Sequence, residues 1–156
     1  MWPRLTIEML EPRRLLSGSP TITIGDVSRA EGQGGATAYV FTVTLSNPSS
    51  KTVSVNFATE NGSAQSGGDY AHKSGTLSFA PGQKTRTVTV LVNGDTVVEQ
   101  DETFSVKLSR ASNAFIKDGR GIGTIFNDDQ AAPPVPDWPL PPPGEDDCNW
   151  GPYGCQ

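Results

Sequence analysis

From Thr21 onward, apolar residues recur at every second position in short runs separated by Gly, Pro, Asn, Asp and Ser. Seven runs carry this period and are predicted as strands: Thr21–Ser28, Ala38–Ser46, Thr52–Thr59, Gly75–Ala80, Thr85–Asn93, Thr103–Ser109 and Gly121–Asn127. Side chains alternate faces along a strand, so Phe41, Val43 and Leu45 fall on one face of the second run. Val53, Val55 and Phe57 do the same in the third, Val88, Val90 and Val92 in the fifth, and Phe104, Val106 and Leu108 in the sixth. Threonine is the common residue of the opposite faces, as suits a solvated β surface. No stretch keeps a helical period of useful length. The pattern predicts an all-β, seven-stranded antiparallel β-sandwich with no long helix between Pro20 and Gln130.

Composition then divides the chain. Its 17 glycines lie mostly between the β-patterned runs, whereas its 13 prolines crowd toward the C-terminus. Residues 1–19 form a mixed apolar and basic leader, residues 20–129 the globular domain, and residues 130–156 a Pro-rich tail ending in a Cys-bounded loop. Prolines supply no sheet donors, and neither tail offers much apolar surface, so both tails are expected to be disordered and to pack little on the domain. Cys148 and Cys155 bracket a short Gly- and Pro-containing segment. A disulfide between them suits an exported protein, and two free thiols are the alternative. The net charge of −5 argues against a nucleic-acid partner, which needs a basic patch. No apolar run reaches the length of a membrane span.

The acids are unevenly placed. If successive strands run alternately up and down, one pole collects the end of the first strand, the third-to-fourth and fifth-to-sixth loops, and the end of the seventh. Eleven acids lie in the domain. Asp26 falls inside the first strand and Asp118 in the sixth-to-seventh loop. The remainder, Glu31, Glu60, Asp69, Asp95, Glu99, Asp101, Glu102, Asp128 and Asp129, fall at that one pole. Lys51, Lys84, Arg110, Lys117 and Arg120 fall at the other. Concentrated like charge costs free energy unless a cation offsets it. Oxygen ligands from several loops suit calcium, which takes 6–8 of them in irregular geometry. A lone His72 and no cysteine in the domain argue against zinc.

The segments ATENGSAQSGGDYAHKSGTLSFAPGQKTRTVTV, GDTVVEQDETFSVKLS and GTIFNDD resemble the Calx-beta domain, found in sodium/calcium exchanger regulatory regions, an integrin subunit and bacterial surface proteins. The resemblance implies an immunoglobulin-like sandwich that binds Ca²⁺ at one pole. It also implies roles. Glu31 would bridge ions, Asp69 would serve from the third-to-fourth loop, and Asp95, Glu99 and Glu102 from the fifth-to-sixth, with Val97 lending its carbonyl. Asp128 and Asp129 would close the set. Tyr70, Gly75, Phe79, Pro81, Gly82 and Phe104 correspond to structural positions. Asn93 and Gly94 depart from the acidic pair of strong binders, and Asn127 replaces an aspartate, which implies fewer or weaker ions. Further upstream, LEPRRLLS (Leu10–Ser17) is similar to the LEPR-XLL signature that begins many secreted bacterial surface proteins; a degenerate secretory leader is the alternative.

No nucleophile elbow, P-loop or HExxH motif is present, and His72 stands alone in a loop. The expected function is therefore a non-enzymatic, calcium-binding module of an exported, extracellular or cell-surface protein. Its expected partners are calcium ions and other surface proteins or neighbouring domains. A structural spacer with a decayed calcium site is the alternative, and an accessory domain of a carbohydrate-active enzyme is a remote one.

Overall fold

The computed structural model describes residues 18–134. The expectations for the leader, the Pro-rich tail and the Cys148–Cys155 pair lie outside these residues, apart from the segments next to the domain. The described chain forms β1 (Thr21–Ile24), β2 (Val27–Ala30), β3 (Gly35–Leu45), β4 (Val53–Asn61), β5 (Ser74–Phe79), β6 (Thr85–Gly94), β7 (Glu102–Ser112), β8 (Phe115–Ile116) and β9 (Arg120–Phe126), with no helix among them. One sheet has the order β6-β3-β1-β8 and the other β2-β9-β7-β4-β5. Their inner faces enclose the alternating apolar positions read above. Phe41, Val43, Val53, Val55, Val90, Val92 and Val106 are each fully buried.

Two features depart from seven antiparallel strands. The first predicted strand is divided. Its first half, β1, pairs antiparallel with β3, from Ile22 opposite Leu45 to Ile24 opposite Val43. The Gly25 N–H then donates to the Thr42 carbonyl, and the Asp26 carboxylate accepts from the Ile122 N–H at 2.8 Å. Asp26 is thus a crossover pin, and beyond it β2 joins the other sheet, parallel to β9. The second departure is β8, a two-residue strand parallel to β1. The apolar period shifts phase at the crossover, from Ile22 and Ile24 to Val27, and a continuous run of β-favouring residues conceals the division into two strands.

Phe104 is the hub of the core beneath the acidic end. Its ring stacks on Tyr70 with centroids 4.5 Å apart and meets Tyr39 and Phe41 at 5.8 Å each. Gly123 faces it across the β7–β9 pairing, and a methyl group there would come within 2.6 Å of the Phe104 ring. That close approach explains the glycine in the middle of a strand. We expect Phe104→Ala to destabilise the domain by about 3–5 kcal/mol, through lost burial and the cavity left behind. Chemical denaturation at equilibrium measures this, and a loss below about 1 kcal/mol would show that the hub is dispensable.

Candidate metal centre

The ends of β4, β6 and β9 and the start of β7 lie at one pole, as the alternation predicts. Backbone ties set several of the acids there. The β4–β5 loop lies along the end of β6: the Asn93 N–H donates to the Asp69 carbonyl at 2.8 Å, and the Ala71 N–H to the Leu91 carbonyl at 2.8 Å. The Asp69 carboxylate then accepts from the Gln65 N–H at 2.6 Å. Below it, the Tyr70 hydroxyl donates to the Asn61 side-chain oxygen at 2.5 Å, which also accepts from the Ser66 N–H. On the other side, the turn between β2 and β3 is fastened by the Glu31 N–H to the Phe126 carbonyl and by the Thr37 hydroxyl to the Glu31 carbonyl. Gly32, at φ 90°, donates its N–H to the Asp128 carboxylate at 3.2 Å.

These ties assemble two carboxylate triads. Glu31, Asp128 and Asp129 each present an oxygen within 4.8 Å of the others, and so do Asp69, Glu99 and Glu102. Oxygens bound 2.3–2.6 Å from one calcium ion can lie up to about 5 Å apart, so each triad fits one ion. Asp129 supplies the sharpest test of fit. It is only 8 % exposed, and neither carboxylate oxygen has a hydrogen-bond partner. A buried, unpaired carboxylate is costly, and a cation is the partner whose chemistry offsets that cost.

The electrostatics agree. Burial, then Asp95, Glu99, Asp129 and Asp128, push Glu31 up to about 7 from 4.5. Burial and the neighbouring Asp69 and Glu99 carboxylates hold Glu102 above its ordinary range. Glu99 acts on both, so the two triads are electrostatic neighbours. Burial, with Glu31 and Asp128 adding to it, raises the Tyr39 hydroxyl to about 12. That hydroxyl donates to the Arg29 carbonyl at 2.6 Å.

Six of the eight expected ligands are therefore brought into the triads. Asp95 stands close enough to act on Glu31 but belongs to neither; its carboxylate accepts from the Val97 N–H at 2.7 Å. Val97, expected to lend its backbone carbonyl, has a 55 % exposed side chain. Two further acids sorted to this pole by sequence do other work or lie elsewhere. Glu60 sits on the outer face of the second sheet, paired with Lys107 at 3.1 Å and Arg120 at 2.8 Å, so neither Glu60 nor Arg120 is polar in position. Asp101 accepts from the Asn127 N–H. Asn127 and Asn93 serve as clamps: the Asn127 side chain bonds the Asp129 backbone, and the Asn93 amide donates to the Gly68 carbonyl at 2.6 Å. Sequence reasoning passed over Asn61, Gln65 and Thr37, whose contacts depend on loop paths that no strand pattern encodes.

A two-sheet β-sandwich with paired carboxylate clusters at one pole is the class that the fold and site define. The Calx-beta domain family model matches residues 22–129, and the chain belongs to that family. Sodium/calcium exchanger 1 of Rattus norvegicus is 41% identical over 70 residues, covering 44% of this chain and 7% of the exchanger. Sodium/calcium exchanger 2 of the same species is 38% identical over 72 residues, covering 43% of the chain and 8% of the exchanger. The chain thus spans a small fraction of these relatives. Among solved structures, the apo-form Calx CBD1 domain is 26% identical with a TM-score of 0.66, covering 72% of this chain and 100% of that one. The calcium binding domain CBD12 of CALX1.1 is 27% identical with a TM-score of 0.64, covering 71% and 47%.

Because the Glu31 value is raised on folding, the metal-free fold binds more protons than the unfolded chain between pH 4.5 and about 7. The stability contributed is present below that window and is lost as pH rises through it. In metal-depleted buffer the denaturation midpoint should therefore be lower at pH 8 than at pH 5.5, and Glu31→Gln should flatten the difference. A wild-type midpoint that rises over the same interval contradicts this account.

Proposed function

We propose that the domain is a calcium-binding structural or adhesive module of an exported or cell-surface protein, holding one Ca²⁺ at each carboxylate triad. The observation that carries the reading is Asp129, buried with both oxygens unpaired beside Glu31 and Asp128. Membership of the Calx-beta family supports it, as does the solved relative described as a calcium binding domain. Bound calcium would supply the positive charge that this pole lacks. The residues divide the work: Glu31, Asp128 and Asp129 hold one position, and Asp69, Glu99 and Glu102 the other. Clamping the β2–β3 turn, the β4–β5 and β6–β7 loops and the end of β9 together would stiffen the pole from which the chain leaves toward its tail. Such a pole can fix geometry against a neighbouring domain or another surface protein. The exported setting rests on the LEPRRLLS segment and the two cysteines of the tail, Cys148 and Cys155.

A ligand that binds only the folded state stabilises it by about 2.7 kcal/mol at a hundredfold excess over its Kd. Millimolar calcium should raise the melting temperature clearly, and magnesium less, because magnesium demands a tight octahedral cage. Asp69→Asn and Glu102→Gln should each reduce the calcium response while leaving the metal-free protein as stable or more so. Asp118→Asn, at the opposite pole, should leave the response intact. Equal melting temperatures in calcium and in chelator would leave the spacer reading in its place.

A further inference from the structure

Gly94 closes β6 and pairs with Gly35 at the first residue of β3. Directly over it runs the Glu31–Gly35 turn. A methyl group on Gly94 would lie 2.7 Å from the Glu31 carbonyl oxygen and closer still to that of Gly32. Even a favourable carbon–oxygen contact needs about 3.3 Å, and these are backbone atoms that cannot swing aside. The turn itself has little slack. Gly32, Gly34 and Gly35 all have φ between 80° and 147°, and its carbonyl, amide and side-chain bonds to Thr37, Phe126 and Asp128 are already made. Any side chain at position 94 must therefore lift the segment that carries Glu31.

We propose that Gly94 is a positioning residue for Glu31, and that the bare α-carbon there is what allows the Glu31–Asp128–Asp129 triad to close. The inference rests on the calcium reading of that triad. It inverts the simple expectation from ligand counting. An acid at position 94 adds a carboxylate to the pole, but it costs the placement of a ligand already there. In this chain the Glu31–Gly35 turn passes too close to position 94 to leave room for that acid.

The test is calorimetric titration of the full chain with calcium alongside amide NMR spectra in chelator. Gly94→Asp and Gly94→Ala should each weaken one of the two binding events by roughly 10–100-fold, as loss of a ligand's support does elsewhere, and spare the other. In chelator, Gly94→Ala should shift the amides of Gly32, Gly35 and Thr37. Thr37→Val removes the hydroxyl that holds the Glu31 carbonyl without adding an atom at position 94, and should weaken the same event; it decides the matter if the Gly94 variants do not fold. Gly82→Ala, strained at φ 86° in the turn at the opposite pole, should lower stability and leave both events unchanged. Tighter calcium binding or an additional ion in Gly94→Asp overturns the proposal. So does a Gly94→Ala protein whose turn amides and isotherm match the wild type. If the wild-type chain binds no calcium, the calcium reading fails, and the amide shifts alone decide whether Gly94 positions the turn.

Discussion

Carboxylates repel one another, and repulsion grows as water is removed. Glu31 and Asp129, only 6 % and 8 % exposed, share one corner of this domain with Asp128, and Asp69, Glu99 and Glu102 gather nearby. Left to electrostatics the loops would spread until the charges were solvated. The segments that carry Asp69, Glu31 and Asp128 are held against this by hydrogen bonds to groups outside the acidic set. Asp69 is held by Gln65 and β6, Glu31 by Phe126 and Thr37, and Asp128 by Gly32. The pole is thus a preorganised negative cavity, and preorganisation is what lets a cation bind without first ordering its ligands.

That preorganisation reaches down into the core. Phe104 follows two residues after Glu102, and Tyr70 follows Asp69. Their rings stack, so the strand start and the loop that carry one triad share a single aromatic contact. The other triad is reached through β9, whose Gly123 lies against the same ring. Motion of either triad therefore works against the packing of one buried cluster. The crossover at Gly25 and Asp26 adds the remaining constraint, since it carries β2 onto β9 and delivers Glu31 beside the end of that strand. At the opposite pole the chain reverses through Pro81-Gly82, with Gly82 at φ 86°, and through the β7–β8 turn, with Asn113 at φ 61°.

Much of this was legible from residue order. The alternation of apolar residues identified all the long strands and most of the core, because burial on one sheet face imposes a period of two whatever the topology; Ala64 and Tyr70, on a loop, lie outside any such period. Placing loops at poles needed only strand alternation, and six acids named on that basis and by family resemblance meet in two triads. The pattern failed where local sequence is silent about partners. Glu60 falls near the end of its strand, yet it pairs across the outer sheet face with Lys107 and Arg120, because strand register places those cations beside it. Asp95, expected as a ligand, joins neither triad and accepts the Val97 N–H, while Asp101, with no expected ligand role, accepts the Asn127 N–H.

The sequence by itself determined the fold class, the domain's apolar faces and the accumulation of acids at one end, since each follows from local periodicity and composition. Tertiary structure alone decided how the acids are partitioned into two groups, which carboxylate is left buried without a partner, and why position 94 has no side chain. Those facts depend on distances between segments dozens of residues apart. Asp129 loses its solvent through the way the β2–β3 turn and the chain after β9 close on each other, and Gly94 meets the Glu31 turn only because β3 and β6 pair to their ends. A linear pattern carries the propensity of each residue, whereas crowding and desolvation arise when the segments are brought together.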